Sequence, residues 1–196
     1  VNIVLFKARF DDEQAFKEMF SKIKAELPEL AGIIHTVALL EDELLRHTTW
    51  EIFKNMYRLR VTGSWNLHKC TEMLKLDHFV LFSSIISHFS PTGKASQALA
   101  TSFLEALSYY RKKNNLASLT ITWGVWGIKQ AIVKHVIETR RLQENLEVLT
   151  VEEALDALTQ VLYTSKPCIT VAKIKWPAVM TQLGTETHFF DAIETK

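Results

Sequence analysis

Ser84 closes an apolar run, HFVLFSS at residues 78–84, and a hydroxyl in that place has two uses. It can hydrogen-bond a ligand carbonyl, or it can cap loose backbone groups in the loop that follows. The run reads as a buried strand, then a serine-tipped loop, then a long amphipathic helix reaching Leu107. In an α/β sheet, ligands sit beyond the carboxyl ends of the strands, so chemistry is sought here first. Trp123 and Trp126 could line a substrate slot, or pack into a core or lid. His35 lies inside a strand-like run and reads first as a core or edge histidine. His78 and His88 flank the central strand, but neither has the i, i+4 partner of a metal pair. Cys70 and Cys168 lack CxxC spacing, which argues against zinc or a disulfide framework and for a reducing, cytoplasmic setting. No metal site is expected.

The elements that must position these groups follow from periodicity. Val1–Phe10 is predicted as a strand, and Asp11 with Gln14 as the capping pair of a helix that Pro28 ends. Gly32–Leu40 is a second predicted strand. Thr48 and Glu51 are predicted to cap the next helix, which Gly63 bends before Leu67, Cys70, Met73 and Leu74 continue its apolar stripe. Phe79–Phe82 and Leu116–Thr122 are further strands. Between them a helix over about 94–111 is predicted to bury Ala95, Ala98, Leu99, Phe103, Ala106, Leu107 and Tyr110. Trp123–Gly127 reads as a strand-end turn, and the looser segment to Leu149 as a lid candidate. Thr150 and Glu153 form a capping box, Cys168–Ile174 a fifth strand, Trp176–Leu183 a closing helix, and 185–196 a polar tail after a 1–184 domain. Strands alternating with helices predict an α/β, Rossmann-like parallel sheet with helices on both faces.

Bulk properties remove some function classes. The chain has 196 residues, 47% of them hydrophobic, and a net charge of +1. That size suits one domain, and that charge gives no electrostatic case for nucleic acid or an anionic membrane. The Arg111-Lys112-Lys113 cluster falls at a predicted helix end, where cations favour the dipole. No apolar run suits a membrane span, and no signal-peptide pattern opens the chain. Beginning at Val1, the chain reads as a piece of something longer.

Seven segments then carry a resemblance. These are GIIHTVALLEDELL (32–45), RVTGSWNLHK (60–69), HFVLFSS (78–84), the glycine-to-helix stretch 93–107, LTITWGVWG (119–127), LTVEEALDAL (149–158) and AKIKW (172–176). Their order and spacing resemble the later part of a ketoreductase domain from a modular polyketide synthase or related hybrid megasynthase. The resemblance implies a short-chain-dehydrogenase-like fold that lacks its first two strands. It also implies a hydride transfer from NADPH to a β-keto group on a carrier protein, with neighbouring synthase domains as partners.

Carried over residue by residue, the resemblance implies a damaged site. The catalytic serine falls on Ser84. The proton-donating tyrosine, thirteen residues on, falls on Gln97; the asparagine four beyond that falls on Thr101; and the lysine falls on Arg60. A glutamine amide has no titratable proton, and losing a general acid costs roughly 10²–10⁴ in rate. Arg60 keeps the charge but not the shape of a lysine. Thr101 keeps a hydroxyl.

On the cofactor side, no GxGxxG turn follows a strand. The adenine-facing acid falls on Arg9, and the small-residue turn after the next strand ends in Ala38. Trp123 and Gly124 are left as vestigial nicotinamide contacts. Leu40-Glu41-Asp42 resembles the Leu-Asp-Asp signature of one stereochemical class.

Three readings follow. The first is an inactive ketoreductase-like domain with a structural role, binding no cofactor by itself. The second is an NADPH-dependent reductase whose cofactor half lies upstream. The third is a redox-free epimerase of an α-substituted keto intermediate. Without the first two family strands, Val1–Phe10 is expected to pair directly with Gly32–Leu40.

Overall fold

A computed structural model describes residues 2–37, 44–89, 95–127 and 146–183. In chain order these form helix α1 (Glu13–Glu26), strand β1 (Gly32–His35) and a 3₁₀ turn (Leu45–His47). Helix α2 (Trp50–Tyr57) runs through a π-turn (Arg58–Thr62) into α3 (Gly63–Thr71). Strand β2 (His78–Ser84), the short helix α4 (Ile86–Phe89), helix α5 (Ala95–Lys113) and strand β3 (Leu119–Trp123) follow. The chain continues with β4 (Leu146–Glu147), α6 (Val151–Val161), β5 (Cys168–Val171), β6 (Lys173–Ile174) and α7 (Trp176–Leu183).

The main sheet is parallel, in the order β1-β2-β3-β5. Strand alternation divides its side chains between two cores. Val80, Ile121 and Trp123 pack with Leu149 and with Ala154 of α6 on one face. Phe79 and Leu81 pack with Leu104 and Leu107 of α5 on the other. Both faces are therefore covered, as a parallel sheet requires. This is the expected Rossmann-like α/β layering.

Several local expectations are corrected. Residues 2–10 form no strand and do not pair with β1. Ile3 and Leu5 are 80% and 91% exposed, because no neighbouring strand offers them a face. The segment is held by Phe10 instead, whose ring meets Phe16 and His35 edge-on at 6.0 Å. The cap of α1 is Asp12, accepting from Ala15 N, while Gln14 bonds Glu18. The cap of α2 is Thr49, accepting from Ile52 N, while the Thr48 hydroxyl donates to Leu44 O. At Gly63, where a bend is predicted, the run passes from the π-turn into α3, and a Cβ there would come within 2.7 Å of the Phe10 ring. The segment Cys168–Ile174 divides, and β6 pairs antiparallel with β4 outside the main sheet. The capping box of α6 is present, with Thr150 and Glu153 satisfying each other's backbone N–H.

Helix α5 departs most from its predicted face. Its buried residues are Gln97, Ala100, Thr101, Leu104, Leu107, Ser108 and Arg111, whereas Leu99 and Tyr110 are about half exposed. Hydrogen bonding explains the polar stripe. Ser108 Oγ lies 2.9 Å from Ser118 Oγ and 2.7 Å from Thr120 Oγ1, and Thr120 Oγ1 donates to Leu104 O at 2.9 Å. Buried hydroxyls with partners are tolerated where unpaired ones are not. Arg111 is likewise fully buried and is not a surface dipole cation.

Candidate functional site

The carboxyl end of β2, the first turns of α5 and the π-turn bring the sequence-nominated residues into one region, since α5 packs against both β2 and the π-turn. Ser84 is the half-buried last residue of β2, opposite Trp123 in register. Ser83, one residue earlier, falls with Phe79 and Leu81 on the α5 face. It is buried, with an Oγ that finds no hydrogen-bond partner. Sequence reading passed over Ser83, although the alternation along HFVLFSS distinguishes the two serines.

Gln97 and Thr101 lie one turn apart on the inner face of α5. The Thr101 hydroxyl donates to the carbonyls of Gln97 at 3.0 Å and Ala98 at 2.8 Å, so its proton is spent on the helix backbone. Gln97 is 3% exposed, and its Oε1 has no partner. An amide in this position can orient a bound group, but it cannot supply a proton.

Arg60 sits within the π-turn, buried, its Nε and Nη1 without partners. Its carbonyl accepts from Ser64 Oγ at 2.5 Å, which fixes the backbone of the turn. Burial lowers the Arg60 pKa. His35 is buried too, and its pKa falls to about 4, mainly through burial and then through the charge of Arg60. The backbone of Leu59 and of His35 itself opposes that fall by favouring the protonated ring. Sequence reading nominated each residue separately; their electrostatic coupling comes only from the tertiary structure.

The residues nominated as vestigial cofactor contacts are occupied with packing. Trp123 joins Phe82 and Trp126, with ring centroids 5.3 and 4.9 Å away, on the face opposite α5. Gly124 is needed where the chain passes Ala172, since a Cβ would lie 2.8 Å from the Ala172 Cβ. Ala38 and the Leu40-Glu41-Asp42 signature lie outside the described residues. Among the described residues no cluster of His, Cys, Asp or Glu could hold a metal, and no helix is long and apolar enough to cross a membrane.

With this geometry in view, comparison with known proteins is decisive. The family model for the KR domain matches residues 1–127. The chain belongs to the KR domain family. This ketoreductase domain is 31% identical over 173 residues to polyketide synthase GfsE of Streptomyces halstedii, covering 86% of the chain and 4% of that protein. It is 28% identical over 181 residues to the phenolphthiocerol synthesis polyketide synthase Pks15/1 of Mycobacterium marinum, covering 91% of the chain and 9% of the relative.

Among solved structures, an A-type ketoreductase from a modular polyketide synthase superposes with a TM-score of 0.81 at 26% identity, over 92% of this chain and 39% of that one. A ketoreductase domain from the bacillaene assembly line gives a TM-score of 0.82 at 25% identity, over 91% of this chain and 44% of that one. The ketoreductase domain thus spans less than a tenth of these two curated relatives and less than half of these solved structures.

Proposed function

We propose that this ketoreductase domain segment no longer catalyses reduction and serves as a structural piece of a polyketide or hybrid peptide–polyketide synthase, against neighbouring domains and their carrier protein. The observation that carries the reading is Gln97. The position that the family resemblance gives to a tyrosine acid holds a buried amide, and ketone reduction needs a group that can protonate the forming alkoxide. Thr101 and Arg60 support the reading. The Thr101 hydroxyl is committed to backbone carbonyls, and the fork of Arg60 does not reproduce an ammonium.

Ketoreductases of this family use NADPH. Of the residues nominated for it, Trp123 is closed into an aromatic core and Gly124 packs against Ala172. No step through the nucleotide is assigned to this chain.

The test is NADPH oxidation by the synthase polypeptide that carries this domain, using a β-ketothioester surrogate. The expected result is no turnover above the rate without protein, and no change on Ser84→Ala. Turnover that disappears on Ser84→Ala would overturn the inactive reading and favour a reductase whose nucleotide is held by residues beyond this chain. Exchange of the surrogate's α-proton with deuterated solvent, abolished by Ser84→Ala without NADPH oxidation, would overturn it in favour of an epimerase.

A further inference from the structure

A cavity of about 570 Å³ opens between the second half of α1 and the end of α3, away from Ser84. Its apolar walls are Phe20, Ile23 and Leu27, with Leu30 from the turn into β1 and Leu74 just beyond α3. The thiol-bearing Cys70 also lines it. Leu30 continues inward to the core of Phe79 and Leu81, so the cavity is a cleft reaching toward the sheet. Its volume falls in the range of small-molecule sites, which are mostly apolar with a few placed polar groups.

The cleft follows from where the helices stop. The apolar stripe of α1 runs through Phe16, Phe20, Ile23 and Leu27, at helical spacing. Phe16 is buried, whereas the three later residues are only half-buried. Helix α3 meets the start of α1, where Lys69 pairs with Glu13, and ends at Thr71. Leu27 is already extended, and Pro28 carries the chain away toward β1. The lining carries Lys17 and Lys24 against Glu29, a net charge of +1. Lys17 is held by Glu13 at 3.0 Å, and the Ser21 hydroxyl is spent on the Lys17 carbonyl at 2.8 Å. Lys24 makes no ion pair among the described residues.

We propose that this cleft binds an aliphatic carboxylate of about eight to twelve carbons, its chain along Phe20, Ile23, Leu27 and Leu74 and its head at Lys24. At roughly 30 Å³ per non-hydrogen atom, the share a water molecule takes in the liquid, the volume holds such a chain together with some solvent. The apolar walls account for the chain, and the net positive lining selects a single negative charge at its end. A neutral chain would leave the Lys24 ammonium without a counter-charge, and a cationic one would meet it with repulsion. The inference does not depend on whether the domain reduces anything.

The experiment is calorimetric titration of the full chain with sodium hexanoate, octanoate and decanoate at constant ionic strength, each below its micelle-forming concentration. Octylammonium chloride and octanol form the control arms. Saturable binding is expected to tighten by about two- to fourfold per methylene and to show a negative heat-capacity change. Octanoate should bind at least about fivefold more tightly than either control. Lys24→Glu, an exposed change that leaves the core alone, should weaken octanoate about tenfold and reverse its preference over octylammonium. Leu74→Trp, which fills the cleft, should weaken all three acids. Alkylation of Cys70 by iodoacetamide, followed by peptide mass spectrometry, gives a second measurement and should slow at saturating octanoate. Absence of saturable heat, an unprotected Cys70, or octanoate affinity unchanged in Lys24→Glu would overturn the proposal. Tighter binding of octylammonium or octanol would overturn the carboxylate assignment. A dimer in sedimentation that Leu74→Glu splits would give the cleft to a second copy of the chain and overturn it as well.

Discussion

Arg111 and His68 meet inside the domain, with Arg111 Nη1 donating to His68 Nδ1 at 3.0 Å. An arginine can only donate, so Nδ1 is unprotonated and the ring proton sits on Nε2, which faces Glu72 Oε2 at 3.6 Å. Arg111 Nε also donates to Ala117 O at 3.0 Å, and the guanidinium carbon stands 3.7 Å from the Phe79 ring centre. One fully buried arginine thereby joins α5, α3, β2 and the loop before β3. Burial lowers its pKa to about 10, against the opposing pull of Glu72.

Removing that cation should be among the most damaging single changes in the chain. Arg111→Met leaves His68 Nδ1 and Ala117 O unpartnered in the core, at a cost of about 3 kcal/mol. Arg111→Lys keeps the charge but not the planar stack, and should recover less than half of the loss. Urea unfolding midpoints of the three proteins measure this. Near-equal midpoints would show that the cluster contributes little.

Acid should destabilise the domain through two histidines that are held neutral. Burial is the first cause of the lowered pKa of His68, followed by Arg111, with Glu72 opposing; for His35 the fall is from 6.5 to about 4. Both folded values lie below the unfolded one, so the unfolded chain binds more protons in between. This stability is fully present above about pH 6.5 and is lost as pH falls through the folded values. For His35 it amounts to about 3 kcal/mol between the two values. Unfolding free energies from pH 7.5 to 4.5 should fall, and His35→Phe should flatten much of the slope. A wild-type profile that is flat, or rises on acidification, would contradict neutral burial.

The hydroxyl cluster under α5 predicts a contrast between two substitutions. Ser108→Ala removes a group shared by Ser118 and Thr120 and should cost about 1–2 kcal/mol. Leu99→Ser, on the half-exposed face, should change stability by less than about 0.5 kcal/mol. Comparing the two unfolding curves tests which face of the helix is inside. The opposite order would restore the apolar face that periodicity alone predicts.

Gly124→Ala should destabilise by about 1–3 kcal/mol, because the added methyl meets the Cβ of Ala172 at 2.8 Å and its Cα at 3.0 Å. Thr150→Ala should cost about 1 kcal/mol by opening the capping box of α6. Thermal unfolding of each variant separates a packing role at Gly124 from a site that tolerates a side chain.

Much of the framework was legible from local pattern. The β2 run, the α6 capping box and the strand–helix alternation each rest on near-neighbour chemistry, and each appears in the structure. Caps slipped by one residue, to Asp12 and Thr49, because adjacent residues offered equivalent side chains and only backbone geometry chose between them. Val1–Phe10 has the composition of a strand, but strand formation needs a paired neighbour. The described part of that segment is anchored instead by Phe10 against Phe16 and His35.

The sequence by itself determined the family and the parallel α/β layering. These depend on residue types and spacing along the chain. Only the tertiary structure decided that Gln97, Thr101, Ser108 and Arg111 face inward. The physical reason is that a polar side chain settles in a core where hydrogen-bond partners reach it, and for most of these residues the partners come from distant segments. Ser118 and Thr120 do so for Ser108, and Ala117 and His68 for Arg111, whereas Thr101 turns to its own helix backbone and Gln97 keeps an open polar atom.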